Sequence, residues 1–180
     1  MRRMRGFTLI ELIVTMVIMA IVSVIAVPNM TSMIVGHRAK ALGEDVVNLI
    51  NLARSEAVKR GGRVVLCASS DGASCTGGWT EGMIVVVDGA TQDNSLGVTA
   101  MDVIARQDPL ADSARLTVLQ GGSGVGFVRF TSSGLVGRVS ASPDPIVFAA
   151  WIDGCTANSK QIIEVGVSGM VSVARESCGG

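Results

Sequence analysis

The sequence predicts an α+β fold: one long N-terminal helix, apolar in its first half, packed on a domain of antiparallel β-structure. Three observations carry this. Residues 7–27 form a nearly unbroken apolar run, FTLIELIVTMVIMAIVSVIAV. Residues 30–60 keep three- and four-residue apolar spacing. After Gly61-Gly62 the pattern breaks into short apolar runs separated by Gly, Ser, Asp and Asn, which is strand-and-turn chemistry. The chain has 180 residues, enough for one domain and one membrane segment.

The first element is a short basic stretch, 1–6, with Arg2, Arg3 and Arg5. The run that follows is long enough to span a bilayer, which takes about 20 helical residues. Arginines on its near side keep 1–6 in the cytoplasm and send the rest outward. An ordinary cleaved signal peptide would carry its small-residue site after the apolar region, and Ser23 and Ala26 before Pro28 could pass for one. Glu11 argues against that reading. A carboxylate at membrane depth costs roughly 2.5–3.5 kcal/mol on insertion scales, so it is normally there for a partner. The bland alternative is that Glu11 lies near the interface and snorkels.

The second half of the helix, 28–62, is amphipathic. Leu42, Val46, Leu49, Ile50, Ala53 and Ala57 form the stripe, and Arg38, Lys40, Glu44, Asp45, Asn51, Arg54 and Glu56 fill the other faces. Pro28 removes one helix hydrogen bond. Gly61-Gly62 ends the helix. His37 is the only histidine and reads as a solvated helix residue. Strands are predicted at 63–68, 83–88, 102–106, 115–119, 126–131, 146–151, 161–167 and 170–174. They form the β-rich domain 63–180, whose sheets pack on the 42–57 stripe.

Composition excludes several functions. Lys+Arg and Asp+Glu are both 15, so the net charge is zero, and aromatics are 3% with no Tyr. Neither a basic nucleic-acid face nor a base-stacking platform is supplied. The stretch 121–126, GGSGVG, lacks the Lys-Ser/Thr of a P-loop and misses the spacing of G-x-G-x-x-G. It reads as a hairpin loop. Val125 replaces the last glycine of G-x-S-x-G. With one histidine at the membrane end, no Ser/His or Cys/His constellation forms, and no enzyme or cofactor is expected.

Arg5-Gly6-Phe7-Thr8-Leu9-Ile10-Glu11-Leu12 resembles the class III signal of type IV prepilins. The resemblance implies cleavage by a prepilin peptidase between Gly6 and Phe7, with methylation of the new Phe7 amine. Glu11 then falls at the position that meets the N-terminal amine of a neighbouring subunit. Opposite charges in a low-dielectric bundle attract strongly, and each is costly alone. Pro28 falls where pilin helices often carry a kinking proline. The stretch 53–57, ARSEA, with Leu66-Cys67, Cys75, Trp79, Gly82, Asp88, the 130–134 stretch FTSSG and the closing Val167-Ser168-Gly169, is similar to the GspH/FimT/FimU group of minor pilins and pseudopilins.

Four cysteines, Cys67, Cys75, Cys155 and Cys178, all lie past the apolar segment. Disulfides are expected in an exported domain. Cys67 and Cys75 flank a small polar loop, so local pairing is economical, and Cys155 would then pair with Cys178. A zinc site is disfavoured, because there is no C-x-x-C and no histidine nearby.

The resemblance implies an inner-membrane single-pass protein with a periplasmic domain, later part of a surface filament. Its expected partners are other pilins, the prepilin peptidase and the inner membrane. Within the group a minor-pilin role in a pilus initiation or tip complex leads. A type II secretion pseudopilin of the GspH kind is barely separated from it. DNA capture, as in FimT-like pilins, is disfavoured: the place of its G-R-x-R motif reads Gly169-Met170-Val171-Ser172. Gly137-Arg138-Val139-Ser140 keeps one arginine of the motif, and Arg129, Arg138 and Arg175 would have to cluster in space.

Overall fold

The computed structural model describes residues 8–90, 96–97, 102–137 and 143–178, apart from the side chains at 25 and 27–29. Among the described residues one helix, α1 (Leu9–Arg60), is followed by nine strands. They are β1 (Arg63–Ala68), β2 (Met83–Asp88), β3 (Val103–Gln107), β4 (Ala114–Gln120), β5 (Ser123–Gly124), β6 (Phe127–Phe130), β7 (Ile146–Ile152), β8 (Lys160–Val165) and β9 (Val171–Glu176). The α+β architecture read from the sequence is the one observed. The chain divides into two compact units, Met1–Ile34 and Val35–Gly180.

In the first unit the helix starts at Leu9 and its apolar side chains, from Leu9 to Val24, are exposed. Thr15 and Ser23 donate to the carbonyls of Leu12 and Met19 at 2.9 and 2.7 Å. Their hydroxyls are thus satisfied by their own helix. The helix continues through position 28.

In the second unit the strands form two antiparallel sheets, ordered β3-β2-β1-β6 and β5-β4-β7-β8-β9. Ala39, Leu42, Val46, Ile50, Ala53 and Ala57 are buried in one core with inward residues of both sheets. That is the stripe read from the sequence; Leu49 packs at its margin. Gly43 lets the helix close on β8, because a Cβ there would stand 2.9 Å from Gln161 Cγ.

The two sheets differ in burial, and their sequences say why. β4 and β7 alternate, with every second residue buried, so their sheet buries one face. β1 and β2 are almost wholly buried. One face of their sheet meets the main core; on the other, Val65, Cys67, Ile84 and Val86 gather with Cys75, Leu96, Val103 and Phe127. Two-sided burial explains their unbroken valine and isoleucine runs. Each predicted strand is present within two residues at either end. β5 is the exception: the 121–126 loop carries a two-residue strand paired with Leu119 and Gln120.

Candidate functional site

The N-terminal candidates divide at residue 8. Gly6 and Phe7, the expected processing pair, lie outside the described residues. Glu11 is in the first turn of α1. Thr8 precedes the helix as its N-cap. Its hydroxyl oxygen accepts from the Glu11 N–H at 3.3 Å. Glu11 Oε2 in return accepts from the Thr8 N–H and the Thr8 hydroxyl, each at 3.0 Å. This is a capping box, in which two orphan donors at a helix start are satisfied reciprocally. Within a single chain the carboxylate is therefore held by its own helix, a role the sequence reading missed. The signal was the Thr-x-x-Glu spacing at the head of an apolar run. Among the described residues no helix is long and apolar enough to cross a membrane. The expected span, 7–27, has Phe7 and the side chains of Ile25 and Val27 outside the described residues.

The cysteines lie in two places. Cys67 of β1 is bonded to Cys75, with Cα atoms 5.5 Å apart. Cys155 is bonded to Cys178 at 5.8 Å, which fastens the chain after β9 to the turn after β7. In the first loop, Asp71 Oδ1 accepts from the Ser69 hydroxyl and from the N–H groups of Ala73 and Ser74. Its Oδ2 accepts from the Ser74 hydroxyl at 2.6 Å. These bonds, the Ser74 hydroxyl first, hold the Asp71 carboxyl well below the usual carboxylate range.

Other motif residues meet in space. Arg54 of α1 donates from Nε to the Gly134 carbonyl at 3.0 Å and from a terminal nitrogen to the Ser168 carbonyl at 3.3 Å. The helix stretch, the FTSSG turn and the VSG turn thus share one guanidinium. Gly134 and Gly169 have φ of 76° and 73°, the left-handed region that favours glycine. Trp79 is buried, donates to the Val125 carbonyl at 2.7 Å and meets Phe148 edge-on with ring centroids 5.4 Å apart. At Gly82 an added Cβ would stand 2.7 Å from the Ser69 carbonyl.

Asp88 accepts from Arg129 Nε at 2.6 Å, and both side chains are buried. Arg129 is thus not available to the arginine cluster that DNA capture would require: a buried, paired guanidinium has no face for a phosphate. Arg175 is exposed on β9, and Arg138 lies outside the described residues. His37 is exposed on α1. Among the described residues no group of His, Cys, Asp and Glu is placed to hold a metal ion.

A capped N-terminal helix whose later half seals two antiparallel sheets is the pilin-like class of subunit. Residues 42–169 match the family described as type II transport protein GspH. The chain belongs to this family, whose members are structural pilin-like proteins. Residues 1–27 match the prokaryotic N-terminal methylation motif. The fold is similar to crystal structures of the Pseudomonas aeruginosa (strain PAO1) type IV minor pilin FimU. In one crystal form the TM-score is 0.56 at 19% identity, covering 79% of this chain and 96% of that one. In a second form it is 0.51 at 20% identity, covering 78% and 99%. No curated protein matches the chain in sequence.

Proposed function

We propose that the chain is a minor pilin. It is cut by a prepilin peptidase between Gly6 and Phe7, methylated at Phe7, and incorporated through its N-terminal helix into the complex that initiates or tips a type IV pilus. The observation that carries this is a methylation motif over 1–27 joined to a GspH-family domain over 42–169. The role is structural, not catalytic. Before cleavage the chain sits in the inner membrane with its β-domain in the periplasm, and its partners are other major and minor pilins.

Glu11 is the assembly residue. In the free subunit the carboxylate is satisfied by Thr8; in the filament it exchanges that bond for the Phe7 amine of a neighbour. An ion pair formed away from water fixes axial register, because either charge left alone there is costly.

Intact mass and N-terminal sequencing of membrane-extracted protein, with and without the peptidase, test the reading. The expected mature chain begins at methylated Phe7. A chain that keeps Met1, or begins near Pro28, would remove the pilin assignment. Glu11→Gln should leave cleavage intact and lower recovery in sheared filaments at least roughly tenfold. Unchanged recovery would remove the charge-pair role.

A second reading, a type II secretion pseudopilin, is favoured by the description of the matched family as a type II transport protein. Deletion separates the two: loss of surface pili supports the first, and loss of secreted enzymes with normal pili supports the second. DNA uptake is disfavoured, since Arg129 is committed to Asp88. A salt-sensitive gel shift with the full chain would revive it.

A further inference from the structure

β9 is the outermost strand of the five-stranded sheet, and only Val171 of its six residues is even half-buried. Its pairing with β8 runs without a bulge from Lys160↔Glu176 to Val165↔Val171. No proline interrupts it, and no described strand lies on its far side. A regular edge of this kind presents a row of backbone N–H and C=O groups without strand partners, a template on which another extended chain can pair.

The inner side of this edge is shaped as well. A groove of ≈ 310 Å³ runs between α1 and β9, lined by Lys40, Gly43, Glu44, Val47, Val173 and Arg175 among others. Val173 and Arg175 face the helix side, because their ladder partners Ile163 and Gln161 are buried there. Val173 is nonetheless 54% exposed: the helix covers β8 and stops short of β9. Lys40 and Glu44 pair with each other at 3.4 Å. The Arg175 guanidinium has no hydrogen-bond or ion-pair partner among the described residues.

We propose that β9 accepts an extended segment of a neighbouring protein as a sixth strand. The segment sets an apolar side chain over Val173 and a carboxylate against Arg175. Those two residues are two apart on one face, so the incoming strand needs an apolar and an acidic residue at the same spacing. A second copy of this chain is a poor occupant. In a two-fold β9–β9 pairing, residues of like face meet, which sets Arg175 against Val171, Val173 or itself and supplies no carboxylate. The inference deepens the assembly proposal, and rests on it only for the identity of the neighbour.

The test uses the full chain in detergent micelles and a fluorescein-labelled peptide, Thr-Thr-Glu-Thr-Val-Thr-Thr, whose antiparallel addition sets Glu against Arg175 and Val over Val173, followed by fluorescence anisotropy. Three controls are the same peptide with Lys for Glu, the same peptide N-methylated at alternate amides, and the Arg175→Glu chain. Saturable binding is expected, weakened roughly tenfold or more by the Lys exchange or by Arg175→Glu. The Lys peptide should recover binding to Arg175→Glu. N-methylation should abolish binding to either chain, since it removes the ladder donors. Absence of binding, or binding indifferent to N-methylation or to residue 175, overturns the proposal. A concentration-dependent dimer dissolved by Val173→Lys overturns it in favour of self-pairing. If deletion abolishes filaments while the peptide fails to bind, the surface falls and the assembly reading stands.

Discussion

Asp88 and Arg129 face each other with side chains 0% and 1% exposed, on the face of β1, β2 and β6 that also carries Val65 and Phe127. Breaking such a pair from one side leaves a buried charge, at a cost of about 3–5 kcal/mol. Asp88→Ala should therefore lower unfolding free energy by about that much, measured by urea denaturation with circular dichroism. Adding Arg129→Met should recover only part of the loss. Asp88 Oδ1 also accepts from the N–H groups of Ala90 and Gly97 at 2.9 and 2.8 Å, and those donors stay orphaned. Asp71 gives a pH prediction. Its folded pKa is depressed, so its contribution is full above the unfolded value of about 3.9 and is lost as pH falls through the folded one. The melting temperature of the native chain should exceed that of Asp71→Asn at neutral pH. The gap should narrow on acidification to about pH 3; a gap that widens would refute the assignment.

Arg54 shows what elements add to residues. One side chain of α1 ties the turn after β6 to the β8–β9 turn, joining the two sheets through the helix. Arg54→Ala should cost about 1–3 kcal/mol and raise amide exchange at 133–136 and 167–170 while leaving β4 protected. Arg54→Lys should recover part, since a point charge cannot reproduce the fork. This junction was half legible: the ARSEA, FTSSG and VSG stretches stood out, but nothing in their order says that they touch. Periodicity is a local property, and it carried the helix stripe and the strands. Cross-element contacts depend on topology, and so the Asp88–Arg129 pair was missed. Its signal was present in the alternation of 127–130, which places an arginine on a buried strand face. The two-residue β5 was missed for another reason, since glycines erase the side-chain pattern from which strands are read. Thr8–Glu11 was in plain view as a capping box, and the resemblance drew the reading toward a neighbour instead.

At the scale of the whole molecule, α1 from Ala39 to Ala57 is the piece that both sheets need. A cut between helix and strands should leave an aggregating β-fragment. The Cys155–Cys178 bond closes a loop over a sequence separation of 23, worth roughly 3 kcal/mol in the chain-entropy model. Replacing both residues by alanine should lower stability by about that amount and release the chain after β9 to protease first. Intact β9 protection in that variant would show that the ladder with β8 holds the C-terminus unaided.

Trp79 and Trp151 are the only two tryptophans, and the chain has no tyrosine. Trp79 is sealed against Phe148 with its indole N–H bonded to a carbonyl; Trp151 is half-buried under the Lys160 ammonium at 5.6 Å. Intrinsic emission is therefore a two-channel optical reporter. Iodide should quench the red-emitting Trp151 channel and spare Trp79. Trp151→Phe would leave a single fluorophore that reads the seam between the sheets. Trp79→Phe would leave one that reads the corner beside the second disulfide, so seam and corner can be watched opening in separate experiments with no dye attached.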